Sequence, residues 1–180
     1  MGTKDTNVDL SHTHDPEQEA TKTRTAVISI DDHSDYVVEW ALENFIRPET
    51  DMVVLIHVRH LDVPVAPYIN PTGYIEDNDE VGRERSHRLL RGFAKELKKR
   101  NILCRAISII GEPKTEILRK TREVKADVLI MGSRKLGTIK RTLLGSVSDH
   151  CVHHCTCSII IASPKEAEEA PQKSHSFFSK

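Results

Sequence analysis

ADVLIMGSRKLGTIKRTLLGSVSDHCVHHCTCSIIIA, residues Ala126 to Ala162, is the stretch that decides the fold. An apolar strand runs into a glycine and a basic loop. A second glycine with a serine opens a short helix, and a last apolar strand closes the segment. That order is what an anion-binding turn requires. Glycine lets the backbone approach a ligand closely, and the free N–H groups and positive dipole end of the next helix face the anion. Arg134, Lys135, Lys140 and Arg141 place positive charge nearby.

Working outward, the same alternation repeats. Ala26–Ile30 is a short apolar strand ended by Asp31-Asp32-His33-Ser34, with Ser34 placed to cap the helix that follows. Val37/Val38, Ala41/Leu42 and Phe45/Ile46 recur at helical spacing, and Pro48 stops the helix. Met52–Val58 is a second buried strand. Arg59–Asp79, with Pro64, Pro67, Pro71 and Gly73, reads as a long loop of the kind that moves or covers a site. Glu80–Arg100 is a helix with a Leu89/Leu90, Phe93/Ala94, Leu97 stripe; its many Arg and Lys residues read as a solvated face.

Ile102–Ile110 is the third strand, and Gly111-Glu112-Pro113 turns into a helix reaching about Lys125, with proline in its first turn. Val128–Met131, the helix Ser146–His154 and the strand Ser158–Ala162 complete the pattern. Strands alternating with helices imply an α/β fold: a five-stranded parallel sheet sandwiched by helices, Rossmann-like. Ligands in such sheets bind beyond the carboxyl ends of the strands, where Asp31, Val58 and Gly132 share one edge.

Composition narrows the function. The 180 residues suggest one domain, 24–163, between polar tails at 1–23 and 164–180 that read as disordered. A net charge of −1 and 4% aromatic residues argue against a nucleic-acid binder. No apolar run approaches the roughly 20 residues that cross a bilayer, and no secretory segment is evident. Four cysteines, Cys104, Cys151, Cys155 and Cys157, do not form a disulfide framework, so a reduced, cytoplasmic protein is expected. Met1-Gly2-Thr3-Lys4-Asp5-Thr6 fits the minimal myristoylation pattern, which chance matches often; an ordinary N-terminal tail is the reading preferred.

Neither G-x-x-x-x-G-K-[ST] nor a G-x-G-x-x-G after the first strand is present. Gly132-Ser133-Arg134-Lys135, nine residues, then Gly145-Ser146 is the phosphate-site candidate. With Asp31, Leu55-Ile56-His57-Val58, Gly111-Glu112-Pro113 and Leu144-Gly145-Ser146-Val147, it makes residues 24–163 resemble a universal stress protein domain. The resemblance implies an adenine nucleotide alpha hydrolase-like fold and ATP or another adenine nucleotide, with Mg²⁺, as regulatory ligand. It implies that Asp31 and Val58 contact adenosine and that Gly132, Arg134, Gly145, Ser146 and Val147 hold the phosphates. Ser29 and Met131, at the strand ends, complete the binding set. It also implies a homodimer through Ser158–Ala162, whose edge is free to pair. The second hallmark glycine is Lys135 here, a residue that either closes the phosphate space, points outward or adds a cation to it.

The His150-Cys151-Val152-His153-His154-Cys155-Thr156-Cys157 cluster is read as packing, since Val147, Cys151 and Cys155 share a core-facing stripe. A metal or redox sensor is its alternative. Asp31, Asp32 and His33 form no nucleophile–base–orienter set. The expectation is therefore a nucleotide-binding, stress-response protein with at most slow ATP hydrolysis. A nucleotide-independent interaction module of the same fold is the alternative.

Overall fold

A computed structural model describes residues 5–7, 21–59, 80–133 and 144–164. The strands are β1 (Asp5–Asn7), β2 (Arg24–Ser29), β3 (Asp51–Arg59), β4 (Leu103–Ile110), β5 (Val128–Gly132) and β6 (Ser158–Ala162). The helices are α1 (Asp35–Asn44), α2 (Glu80–Lys99), α3 (Pro113–Glu123) and α4 (Ser146–His154). The loop expected over Arg59–Asp79, apart from Arg59, lies outside the described residues, as do Gly2, Arg134, Lys135, Lys140 and Arg141.

One sheet carries all six strands in the order β1-β4-β3-β2-β5-β6. The five strands read from apolar runs are parallel, with Val27 opposite Val54 and Leu129, and Ile130 opposite Ile160. β1 is an addition to that reading. It lies within a segment expected to be disordered, yet it pairs antiparallel with β4, Thr6 opposite Ser108. The outer edge of β4 would otherwise leave a row of backbone groups unpaired. Three residues satisfying it through their backbone leave no hydrophobic period to read.

Alternation along the strands divides the core. Ala26, Ile28, Val53, Leu55 and Ile130 face α1 and α2, against Val37, Ala41, Leu90, Phe93 and Leu97. Val27, Val54, Ile56, Leu129 and Met131 face α3 and α4, against Ile117, Leu118 and Cys151. Successive side chains on a strand point to opposite faces, so apolar residues at every position need a helical layer on both sides. On α2, Arg85, Arg88, Arg91, Lys95, Lys98 and Lys99 are exposed, the solvated face expected.

Two local expectations need correction. α1 ends at Asn44, before Pro48. Ser34 stands at the N-cap position, but its side chain makes no capping bond. Its hydroxyl instead donates to Asp31 Oδ1 at 2.8 Å and accepts from the Asp31 N–H at 2.8 Å. α3 begins as its sequence suggests, with Pro113 in the first turn, and the structure adds a cap: the Glu112 carboxylate accepts from the Thr115 N–H at 2.9 Å.

Candidate functional site

From β2 the chain winds one way through β3 and β4, then crosses to the other side of β2 to form β5 and β6. The strand order therefore reverses between β2 and β5, and a crevice opens beyond the carboxyl ends of these strands. A cleft of about 430 Å³ lies there. Ser29, Asp31, Val58, Met131, Gly132, Gly145, Ser146 and Val147, eight of the nine residues expected in the site, line it; the ninth, Arg134, lies outside the described residues.

Each wall has a local cause. Beyond β2, the chain folds into a tight polar turn: Asp31 Oδ1 accepts from the Ser34 hydroxyl and, at 2.9 Å, from the His33 N–H. Such side chain to backbone bonds are how Asp and Ser organise turns. The carboxylate is thereby fixed at the cleft wall. On β3, the Ile30 N–H donates to the Ile56 carbonyl at 2.8 Å, beyond the last residue of β2. Backbone groups two residues apart on a strand point to the same side. Val58 thus presents its N–H and carbonyl beyond that rung, into the space between the strands.

The opposite wall is the start of α4. Gly145 occupies the N-cap with extended backbone and offers no side chain to the first turn. The first N–H groups of a helix have no partner within it, and they carry the positive end of its dipole. Ser146 adds an exposed hydroxyl beside them. The cleft therefore pairs a hydrogen-bonding edge and a fixed carboxylate at one end with an anion-attracting helix start at the other.

Sequence reasoning missed a layer of residues beneath this surface: Tyr36, Ser133 and Ser148 also line the cleft. The Tyr36 hydroxyl donates to the Ser133 carbonyl at 2.8 Å, and the Ser148 hydroxyl to the Gly132 carbonyl at 3.1 Å. The available signals were polar tips at core-facing positions. Ser148 lies one residue beyond Val147 on a short helix, and a tyrosine packed against a core normally brings its hydroxyl to a partner.

Below the cleft, His57 Nδ1 lies 2.8 Å from the Ser86 hydroxyl, which donates to the buried Ser108 hydroxyl at 2.8 Å. Burial holds the His57 imidazole below its ordinary pKa, against the pull of Asp32 and Asp31. The Cys/His cluster is spread over different surroundings. Cys151 is fully buried, and burial pushes its thiol up to about 11. Cys155 and Cys157 sulfurs lie 3.3 Å apart, while His150 and His154 stack with ring centres 4.1 Å apart. Among the described residues no three His, Cys, Asp or Glu side chains gather to hold a metal ion.

Comparison with known proteins agrees with this architecture. The sequence model of the universal stress protein family matches residues 24–163. A universal stress protein A-like protein of Arabidopsis thaliana is 29% identical over 140 residues, covering 74% of this chain and 79% of that relative. The crystal structure of a universal stress protein family protein from Arabidopsis thaliana with AMP bound aligns with a TM-score of 0.55 at 26% identity, covering 84% of this chain and 98% of that one. The Archaeoglobus fulgidus universal stress protein in complex with dAMP shares the fold, with a TM-score of 0.52 at 17% identity, covering 77% and 97%.

Proposed function

We propose, from the premise that this chain belongs to the universal stress protein family, that its cleft binds an adenine nucleotide, ATP or a near relative, as a regulatory ligand. The observation that carries the proposal is the convergence at the switch in strand order. The Asp31 carboxylate, the Val58 backbone and the start of α4, where Gly145 offers no capping side chain, all line one cleft. The similar Arabidopsis structure with AMP bound supports the same ligand class.

In this reading Asp31 and the Val58 backbone take the adenosine, with Ser29 and Met131 shaping that end. A strand edge offering one donor and one acceptor suits the amino group and ring nitrogen of adenine. Gly132, Arg134, Gly145, Ser146 and Val147 take the phosphates, the helix dipole supplying attraction. A Mg²⁺ ion would come with the phosphates and keep several waters, since among the described residues lining the cleft Asp31 is the one carboxylate.

β6 lies at the edge of the sheet, with Ile159, Ile160 and Ile161 half-buried. We assign it as the surface through which two copies pair, because an apolar edge strand invites another chain. Four free thiols suit the reduced cytoplasm as its setting. Among the described residues no helix is long and apolar enough to cross a membrane.

The test is a titration of ¹⁵N-labelled protein with ATP, followed by amide NMR. Shifts concentrated at Asp31, Val58, Gly132 and Gly145–Val147 are expected. Saturable shifts elsewhere, with these amides unmoved, would overturn the assignment.

A further inference from the structure

Ser133 is a hub. Only 1% of it is exposed, and its N–H, carbonyl and hydroxyl are each engaged by a different partner. The N–H donates to the Ala162 carbonyl at 2.9 Å, the hydroxyl to Ser163 Oγ at 3.1 Å, and the carbonyl accepts from Tyr36 Oη at 2.8 Å. Two of these bonds tie the end of β5 to the end of β6. The third reaches across to α1, 97 residues away in sequence. Tyr36 stands on the first turn of α1, directly after the Asp31–Ser34 turn that fixes the adenosine-side carboxylate.

We infer that Tyr36 is a positioning residue for phosphate recognition, acting through the Ser133 carbonyl; the inference rests on the adenine-nucleotide reading of the cleft. Its hydroxyl ties the turn that presents Asp31 to the strand end from which the basic segment departs. It thereby sets the separation between the two ends of the ligand. It also answers an electrostatic problem. The Gly132 and Ser133 carbonyls carry partial negative charge in the wall of a cleft that takes an anion. Tyr36 and Ser148 each supply a hydroxyl donor to one of them, which offsets that charge. Because Ser133 has its polar atoms committed to protein partners, it anchors the site and does not serve as a phosphate donor.

This arrangement has a signature that general stabilisation lacks. Losing the Tyr36 hydroxyl should weaken ligands in proportion to their phosphates, because the adenosine contacts on Asp31 and Val58 do not pass through Ser133. Calorimetric affinities for adenosine, AMP and ATP, measured for the wild type, Tyr36→Phe and Ser148→Ala, test this. The phenylalanine keeps the ring in place, and Ser148→Ala frees the other carbonyl from a different helix. In each variant the ratio of ATP to adenosine affinity should fall about tenfold, the worth of one well-placed hydrogen bond. Equal loss for all three ligands in either variant, or no change in the ratio, overturns the inference while leaving the nucleotide reading intact. A wild type that binds none of the three overturns both.

Discussion

Tyr36 and Gly132 fit together only because Gly132 has no side chain: a Cβ there would collide with the Tyr36 hydroxyl and stand 2.9 Å from Val37 Cγ2. The first glycine of the loop motif is thus required by the helix packed against it, before any ligand is considered. Gly132→Ala must push α1 away from β5 and strain the Tyr36 bond to Ser133. A loss of about 1–3 kcal/mol is expected from such overpacking, read by thermal or urea melting. In a Tyr36→Phe background the same change should cost less, since the closest colliding atom is gone.

Arg24 and Asp51 stitch the entrance of β2 to β3 at the end of the sheet away from the cleft. Asp51 is fully buried, and the Arg24 guanidinium pairs with both its oxygens while also covering Phe45, 4.4 Å from the ring centre. Burial alone would raise the Asp51 carboxyl. The Arg24 bonds, the Arg47 N–H and the Thr50 hydroxyl outweigh it and hold the pKa below the ordinary value. Asp51→Asn should cost about 2–3 kcal/mol, since it leaves Arg24 without its counter-charge. A carboxyl with a depressed folded pKa contributes stability above its unfolded pKa of about 3.9, lost as pH falls through the folded value. Urea melts from pH 6 downward should show an acid-side loss that the Asn variant lacks.

His57 behaves in the opposite chemical sense. Its folded pKa lies below its ordinary value, chiefly because of burial. Above about 6.5 it is neutral in both states and contributes no pH dependence. As pH falls from there through the folded value, the unfolded chain takes up a proton that the fold resists, so stability declines. An NMR titration should place the His57 midpoint below 6.5, and His57→Gln should flatten this decline.

Three of the thiols are held in their protonated form. Burial pushes Cys104 and Cys151 up to about 11; Cys157, half-buried, is pushed up to about 12 by burial together with its contact to the Cys155 sulfur. A thiol reacts as its thiolate, so at pH 7.5 these three should label with a disulfide reagent far more slowly in the native protein than in guanidinium. Rapid native labelling of Cys151 would contradict its burial on the sheet-facing side of α4.

Much of the architecture was legible because it rests on periodicity. Continuous apolar strands such as Met52–Val58 and Ser158–Ala162 could be stable only inside a doubly covered parallel sheet. Gly145-Ser146 also announced a helix start, which the structure places beside Asp31 and Val58. What stayed hidden depends on partners distant in sequence. β1 pairs across the sheet with β4, far away in sequence, Ser34 spends its hydroxyl on Asp31 instead of the helix, and Tyr36 finds its acceptor only when β5 folds beside α1. None of these leaves a local pattern, since a hydroxyl's choice among acceptors is settled by tertiary packing.

The most direct measurement is a calorimetric titration of Mg–ATP into the wild type, Gly145→Val and Lys135→Gly. The account predicts saturable one-site binding to the wild type, abolished by a valine at the uncapped start of α4 and retained when Lys135 becomes glycine. Binding seen only with Lys135→Gly, or binding that ignores Gly145→Val, would contradict the claim that this cleft is a working nucleotide site.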